Sequence, residues 1–230
     1  PGEVARGAGA RAEEVEGRWT YYHALDPAIV LARARQVLRP PDGVSLEWRG
    51  ATLAVTGPAS AEWLGQATRL APLLAGVASL DISASADAEV TRLAAAAAAA
   101  DVQFERGAAA LVDGQQARVG ALARDLRALG DLAALTGNRL RLVFSGHADS
   151  DGSPESNVPL SRQRAAVVRQ LVLASAPAAL DVEVVGAGSS APIARGGTEA
   201  DKARNRRVAV RVERTADPLR PASPPAESRR

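Results

Sequence analysis

Two hydrophobic periods meet within thirty residues in the middle of this chain. Val119, Leu122, Leu126, Leu129 and Leu132 recur at helical spacing, and shortly afterwards Leu140, Leu142 and Phe144 alternate with Arg141, Val143 and Ser145. The first pattern predicts a helix from about Gln115 to Leu135 with a single apolar stripe. The second predicts a strand with one covered face. A helix that runs so directly into a strand can bury both stripes only by packing helix on sheet, so the chain is expected to be layered α+β. The flanks extend the pattern. "VQFERGAAAL" reads as a strand, "SRQRAAVVRQLVLAS" as a helix, and "LDVEVVGAG" and "NRRVAVRVE" as two more strands. The expected order over residues 101–213 is β-α-β-α-β-β, a sheet with helices on one face. Aromatic residues are only 3% of the chain, so the core must come from Leu, Val and Ala, with Trp48, Trp63 and Phe104 needed inside it.

Upstream, Asp26 and Pro27 give an N-cap and a first helical position, Ile29, Val30, Ala34, Val37 and Leu38 follow at helical spacing, and Pro40-Pro41 stops the helix. Two short strands, "VSLEW" and "TLAVTG", a helix over about Ser60–Leu74 and the strand "GVASLDIS" complete an α-β-β-α-β unit. The glycines and spacing of "GATLAVTGPAS" and "GVASLDI" resemble the BON module of bacterial envelope proteins, which implies contact with a phospholipid surface or with envelope proteins. The expected organisation is a linker over 1–22, the BON-like unit over 23–84, an alanine-rich connecting helix over 85–100, the α+β sheet unit over 101–213 and a proline-rich tail over 214–230.

Composition excludes several function classes. Cysteine is absent, which removes disulfides, thiolate metal sites and cysteine nucleophiles. The net charge of +2 and the lack of a basic stripe interleaved with aromatics give no nucleic-acid surface. One histidine and one aspartate near each other, with no third ligand, make no metal site, and no cofactor is expected. With Pro1 in first place and no methionine, the chain is expected to be the soluble part of a longer, membrane-anchored protein.

The chemistry concentrates in "FSGHADSDGSPESNVPLSRQRAAVV", residues 144–168. Strand parity puts Asp149 at the strand's C-terminal end, where sheets commonly place ligands. The polar loop after it is rich in turn residues, and Asn157 is suited to bonding loop backbone. Ser161 is expected to cap the next helix, which sets Arg164 in its first turn beside free N–H groups, a place for a carboxylate ligand. Arg206 shares the inward parity of Val208, Val210 and Val212 and needs an anionic partner, either Asp149 or a ligand. Arg207 and Arg211, of the other parity, are expected in solvent. A mutual salt bridge of Asp149 with Arg164 that merely pins the loop is the plain alternative. His147, Asp149 and Ser161 invite a hydrolase reading, but no nucleophile elbow exists and His147 is expected to be structural, its ring hydrogen-bonded at the sheet edge.

Taken together, Gly146-His147-Ala148-Asp149, Asn157, Leu160-Ser161, Arg164-Ala165, Gly186 with Gly188, and Asn205-Arg206-Arg207-Val208 resemble the OmpA-like peptidoglycan-binding domain. The resemblance implies a non-catalytic periplasmic or outer-membrane protein, with peptidoglycan as partner. It implies that Asp149 and Arg164 grip the zwitterionic end of diaminopimelate, supported by Asn157 and Arg206. Two departures stand out: Ala148 replaces the usual threonine, and Asp201-Lys202 replaces the usual Gly-Arg.

Overall fold

The computed structural model describes residues 25–173 and 180–215. The linker expected over 1–22 and the tail beyond residue 215 lie outside the described residues. The first part contains α1 (Pro27–Leu38), β1 (Ser45–Arg49), β2 (Thr52–Thr56), α2 (Ala61–Leu70) with a 3-10 turn at Ala71–Leu73, and β3 (Ser79–Asp81). Asp26 caps α1 by accepting from Ala28 N, and Ser60 caps α2 by accepting from Trp63 N. The sheet order is β1-β2-β3, antiparallel then parallel.

Next come α3 (Ser83–Ala99), β4 (Val102–Gln103), α4 (Gln116–Thr136), β5 (Arg139–Gly146), α5 (Pro154–Val172), β6 (Leu180–Gly186), α6 (Glu199–Asn205) and β7 (Arg207–Thr215). The second sheet runs β4-β7-β5-β6, with β6 parallel to β5 and β7 antiparallel to it. The mixed α+β architecture is as expected. The Leu140, Leu142 and Phe144 face is buried, as is the stripe of α4. The first strand is shorter than its alternation suggests, two residues plus a bridge between Phe104 and Leu111. Helix α6 was not expected, because seven residues with a Thr198 cap carry no apolar stripe.

The alanine-rich helix is a packing element rather than a connector. Ala86, Val90, Leu93 and Ala97 lie buried along one face of α3, which contacts β2 on one side and α4 and β7 on the other. Helix α2 also packs on α4, so a single hydrophobic core runs from Val30 to Val210. Asp87 and Arg214 pair across the same junction at 2.9 Å.

The largest correction concerns α5. It begins at Pro154, with Ser153 in the N-cap position and Glu155 in the first turn, and not at Ser161. Ser-Pro-Glu is a start signal in its own right. Pro159 lies inside the helix, where it forfeits one backbone bond in the second turn without ending it. Arg164 is therefore mid-helix, far from the free N–H groups of the first turn.

The seating of α5 on the sheet explains two glycines. Gly146 and Gly186 are register partners at the ends of β5 and β6. A Cβ at Gly146 would overlap the carbonyl oxygen of Ser161, and one at Gly186 would overlap that of Val158. The helix backbone rests directly on the sheet backbone at this crossing, and Ser161 ties it down by accepting from Gly188 N and donating to Val158 O, each at 2.9 Å. Gly146→Ala is expected to lower unfolding free energy by about 3 kcal/mol or more. Gly120→Ala, inside α4 with nothing within 4 Å of the added carbon, is expected to raise it by about 0.5–1 kcal/mol. Urea denaturation of the two variants checks both signs.

Candidate ligand-binding site

A cavity of about 300 Å³ opens where β5 ends and α5 begins, and its walls include Arg106, Asp149, Asp151, Asn157 and Arg164. Three of the four residues expected at the site, Asp149, Asn157 and Arg164, thus meet on one cavity. Arg206 does not line it and stands behind Asp149.

Asp149 is buried at the loop after β5. Its Oδ2 accepts from Arg206 Nη1 at 2.9 Å and its Oδ1 from Asp151 N at 3.2 Å. The salt bridge of Asp149 is made with Arg206, so the alternative of a mutual Asp149–Arg164 pair is not what the structure contains. Arg206 Nη1 also reaches Glu199 Oε1 at 2.9 Å, and its Nε donates to Phe104 O at 3.4 Å. Burial opposes the charge on Arg206, but the bonds to Asp149 and Glu199 outweigh it and raise its pKa.

Arg164 is 1% exposed and fully engaged on one side. Its Nε donates to Ala108 O at 2.8 Å, its Nη2 to Glu105 O at 2.8 Å and its Nη1 to His147 O at 3.0 Å. A guanidinium has five donors, so these three bonds leave two, and the group borders the cavity. Its carbon also lies 5.6 Å from the centre of the Phe104 ring, within range of a cation–π attraction. Burial lowers its pKa, while Asp149 acts upward and Arg206 downward. Among the described residues no carboxylate bonds it directly, so its charge is balanced only at a distance.

Asn157 is buried in the first turn of α5 rather than in the loop. Its Nδ2 donates to Asp151 O at 2.9 Å and to Asp149 O at 3.4 Å, folding the 149–151 turn back over the helix end. The turn is clamped from outside as well. Asp151 pairs with Lys202 at 2.6 Å and with Arg106 at 2.9 Å. The Asp201-Lys202 departure therefore has a structural use: Lys202 holds Asp151, and Asp201 accepts from Thr198 Oγ1 at 2.6 Å at the start of α6. Arg106, Asp151 and Lys202 were missed by sequence reasoning. Their pairing joins three segments remote in sequence, and no local pattern marks it. Asn205 anchors the loop before α6, accepting from Ile193 N and Ala194 N and donating to Ala194 O. Ala148, at the threonine position, is buried and lines the cavity with a methyl group.

Two expectations fail beside the site. Arg207 is buried, not solvated, beside Asp101 and His147, with its backbone paired to Gln103 of β4. Its Nε is 3.7 Å from Asp101 Oδ1 and its Nη1 has no partner. Burial shifts both toward neutrality, lowering Arg207 and raising Asp101, against the pull of each on the other. Arg211 is exposed, as expected. His147 lies across from Arg207, with its backbone N donating to Arg207 O at 2.8 Å, but its ring is buried with Nδ1 unpartnered. The expected ring hydrogen bond is absent.

Burial, reinforced by the Arg207 charge, lowers the His147 pKa from 6.5 to about 4. The unfolded chain therefore takes up this proton first as pH falls. Stability from the neutral ring is complete above about pH 6.5 and drains away down to about pH 4, a loss of roughly 2–3 kcal/mol. His147→Gln is expected to remove that share of the acid sensitivity. Urea midpoints of the two proteins, followed from pH 7 to 4, check it; parallel declines would contradict the assignment.

With this geometry in hand, residues 103–206 match the family model described as OmpA family. Over 72 residues, 31% of this chain, it is 40% identical to the "Peptidoglycan-binding protein ArfA" of Mycobacterium tuberculosis, and the match spans 22% of that protein. It is 34% identical over 77 residues to the "Peptidoglycan-associated lipoprotein" of Pseudomonas aeruginosa, covering 34% of this chain and 46% of that one. The chain thus spans less than half the length of these curated relatives. Among solved structures, the peptidoglycan-associated lipoprotein of Burkholderia pseudomallei aligns with 49% of this chain and 89% of its own, at 28% identity and a TM-score of 0.41. The stretch similar to the OmpA family, residues 103–206, carries every residue of the cavity just described.

Proposed function

We propose that the OmpA-like domain binds peptidoglycan without chemical turnover, taking the zwitterionic end of a diaminopimelate stem peptide between Asp149 and Arg164. In this way it would tether a larger envelope protein to the cell wall. The observation that carries the reading is the wall of the first cavity. It presents a buried carboxylate and, beside it, a buried guanidinium that keeps two donors uncommitted. An ammonium and a carboxylate on one carbon match that pair. Arg206 and Asn157 act as positioning residues, the first fixing the Asp149 carboxylate and the second fixing its turn.

The relatives named for peptidoglycan support the same partner and an envelope location. Ser161 Oγ is committed to the Gly188 and Val158 backbone, and the His147 ring makes no bond to it, which argues against a hydrolytic relay. A single stem peptide is expected to bind in about the micromolar to millimolar range. Many stems on one polymer would raise the avidity.

A second reading assigns membrane-surface or protein contact to the BON-like unit. It is favoured by the exposed apolar side chains Leu25, Ile29, Val37 and Leu73. The full chain pelleting with anionic vesicles, and losing this on Ile29→Ser with Val37→Ser, would support it.

Sedimentation with purified sacculi tests the main reading. Asp149→Asn and Arg164→Lys are each expected to weaken binding about tenfold or more. Arg164→Lys is preferred to alanine, which would leave three carbonyls without their donor. Thermal unfolding of both variants controls for folding. Undiminished sacculus binding by both variants would overturn the assignment.

A further inference from the structure

The first cavity has a neighbour. On the other side of the 148–150 turn, a second cavity of about 260 Å³ opens between that turn, the 189–197 loop and α6. Ala148 and Asp149 line both, so the Asp149 carboxylate stands at the junction.

Most polar side chains of the second cavity are already engaged. Asp201 accepts from Thr198, Lys202 is paired with Asp151, and Asn205 holds the 193–194 backbone. Three are not. Ser150, Ser189 and Arg195 are exposed, line this cavity, and their side chains make no hydrogen bond or ion pair among the described residues. The one charged group with no bond of any kind is the Arg195 guanidinium, the Asp201 carboxylate being held by the Thr198 hydroxyl without a cation, and the two other free groups are hydroxyls able to donate. Gly197, with nothing within 4 Å of an added Cβ, leaves the rim beside Arg195 open.

A ligand whose ammonium reaches Asp149 lies where the two cavities join. A chain continuing from it toward the 189–197 loop meets donors and a free guanidinium. We propose that the second cavity takes a carboxylate carried on the next residue of the same peptide, with Arg195 as its cation and Ser150 and Ser189 as supporting donors. This rests on the reading that the first cavity takes the zwitterionic end, and it adds a specificity: the occupant of the second cavity is an acid rather than its amide.

The test uses the full chain and two probes, diaminopimelyl-alanine with a free C-terminal carboxylate and the same dipeptide as its C-terminal amide, titrated by calorimetry. The acid is expected to bind about two- to fivefold more tightly than the amide, the range for an exposed ion pair. Arg195→Ala should abolish that preference and Arg195→Lys should keep it, while Asp149→Asn should weaken both probes. Equal affinity of acid and amide for the unmodified chain, or a preference that survives Arg195→Ala, would overturn the second cavity's role and leave the first untouched if binding still requires Asp149. Failure of both probes to bind would overturn the zwitterion reading and this inference with it.

Discussion

The Arg164 guanidinium is the interaction on which the site depends. It ties together three pieces of chain: the 105–108 loop, the end of β5 and the middle of α5. A buried cation is costly to desolvate, and it survives here because carbonyl dipoles replace part of its water shell and an aromatic face lies close by. The same bonds fix the direction of its two remaining donors. The scaffold and the cavity thus share one group, since the guanidinium that makes these three bonds also borders the cavity.

Around it the charges form a graded chain. Glu199, Arg206 and Asp149 are linked by direct bonds, whereas Arg164 feels Asp149 only through space. Asp149 therefore arrives already oriented, and its negative charge is tempered but not cancelled for anything that enters the cavity. Asp151, shared by Arg106 and Lys202, closes the outside of the same turn. His147 contributes its backbone carbonyl rather than its ring, so the most reactive-looking side chain in the motif serves the site through the main chain.

Much of this was legible in the sequence because it rests on short periods. The α4 stripe and the parity of β5 follow from residue spacing, whereas Arg206 is buried as the C-cap of α6, before β7 begins, so strand parity does not account for it. What failed was either local ambiguity or long range. Pro159 reads as a helix breaker, although one lost bond in the second turn is tolerated when Ser153-Pro154-Glu155 has already started the helix. Arg207 reads as solvent-facing by parity, yet it is buried beside Asp101 and His147, which come from other segments. The bonds of Arg164 reach back 56 and 59 residues to loop carbonyls, which have no side-chain signature at all. Three of the four residues singled out in the chain do meet on one cavity, whereas the partner each one bonds could not be read from it.

Helix α3 sets how the two sheets are mechanically joined. It buries one face against both and passes into β4 through only Ala100 and Asp101. No linker separates the three-stranded sheet from β4, the edge strand of the four-stranded one. The way from the four-stranded sheet to the first runs through the packed side chains of α3. Under the proposed tethering role, resistance to pull would rest on that shared core as much as on the cavity's hold on a ligand.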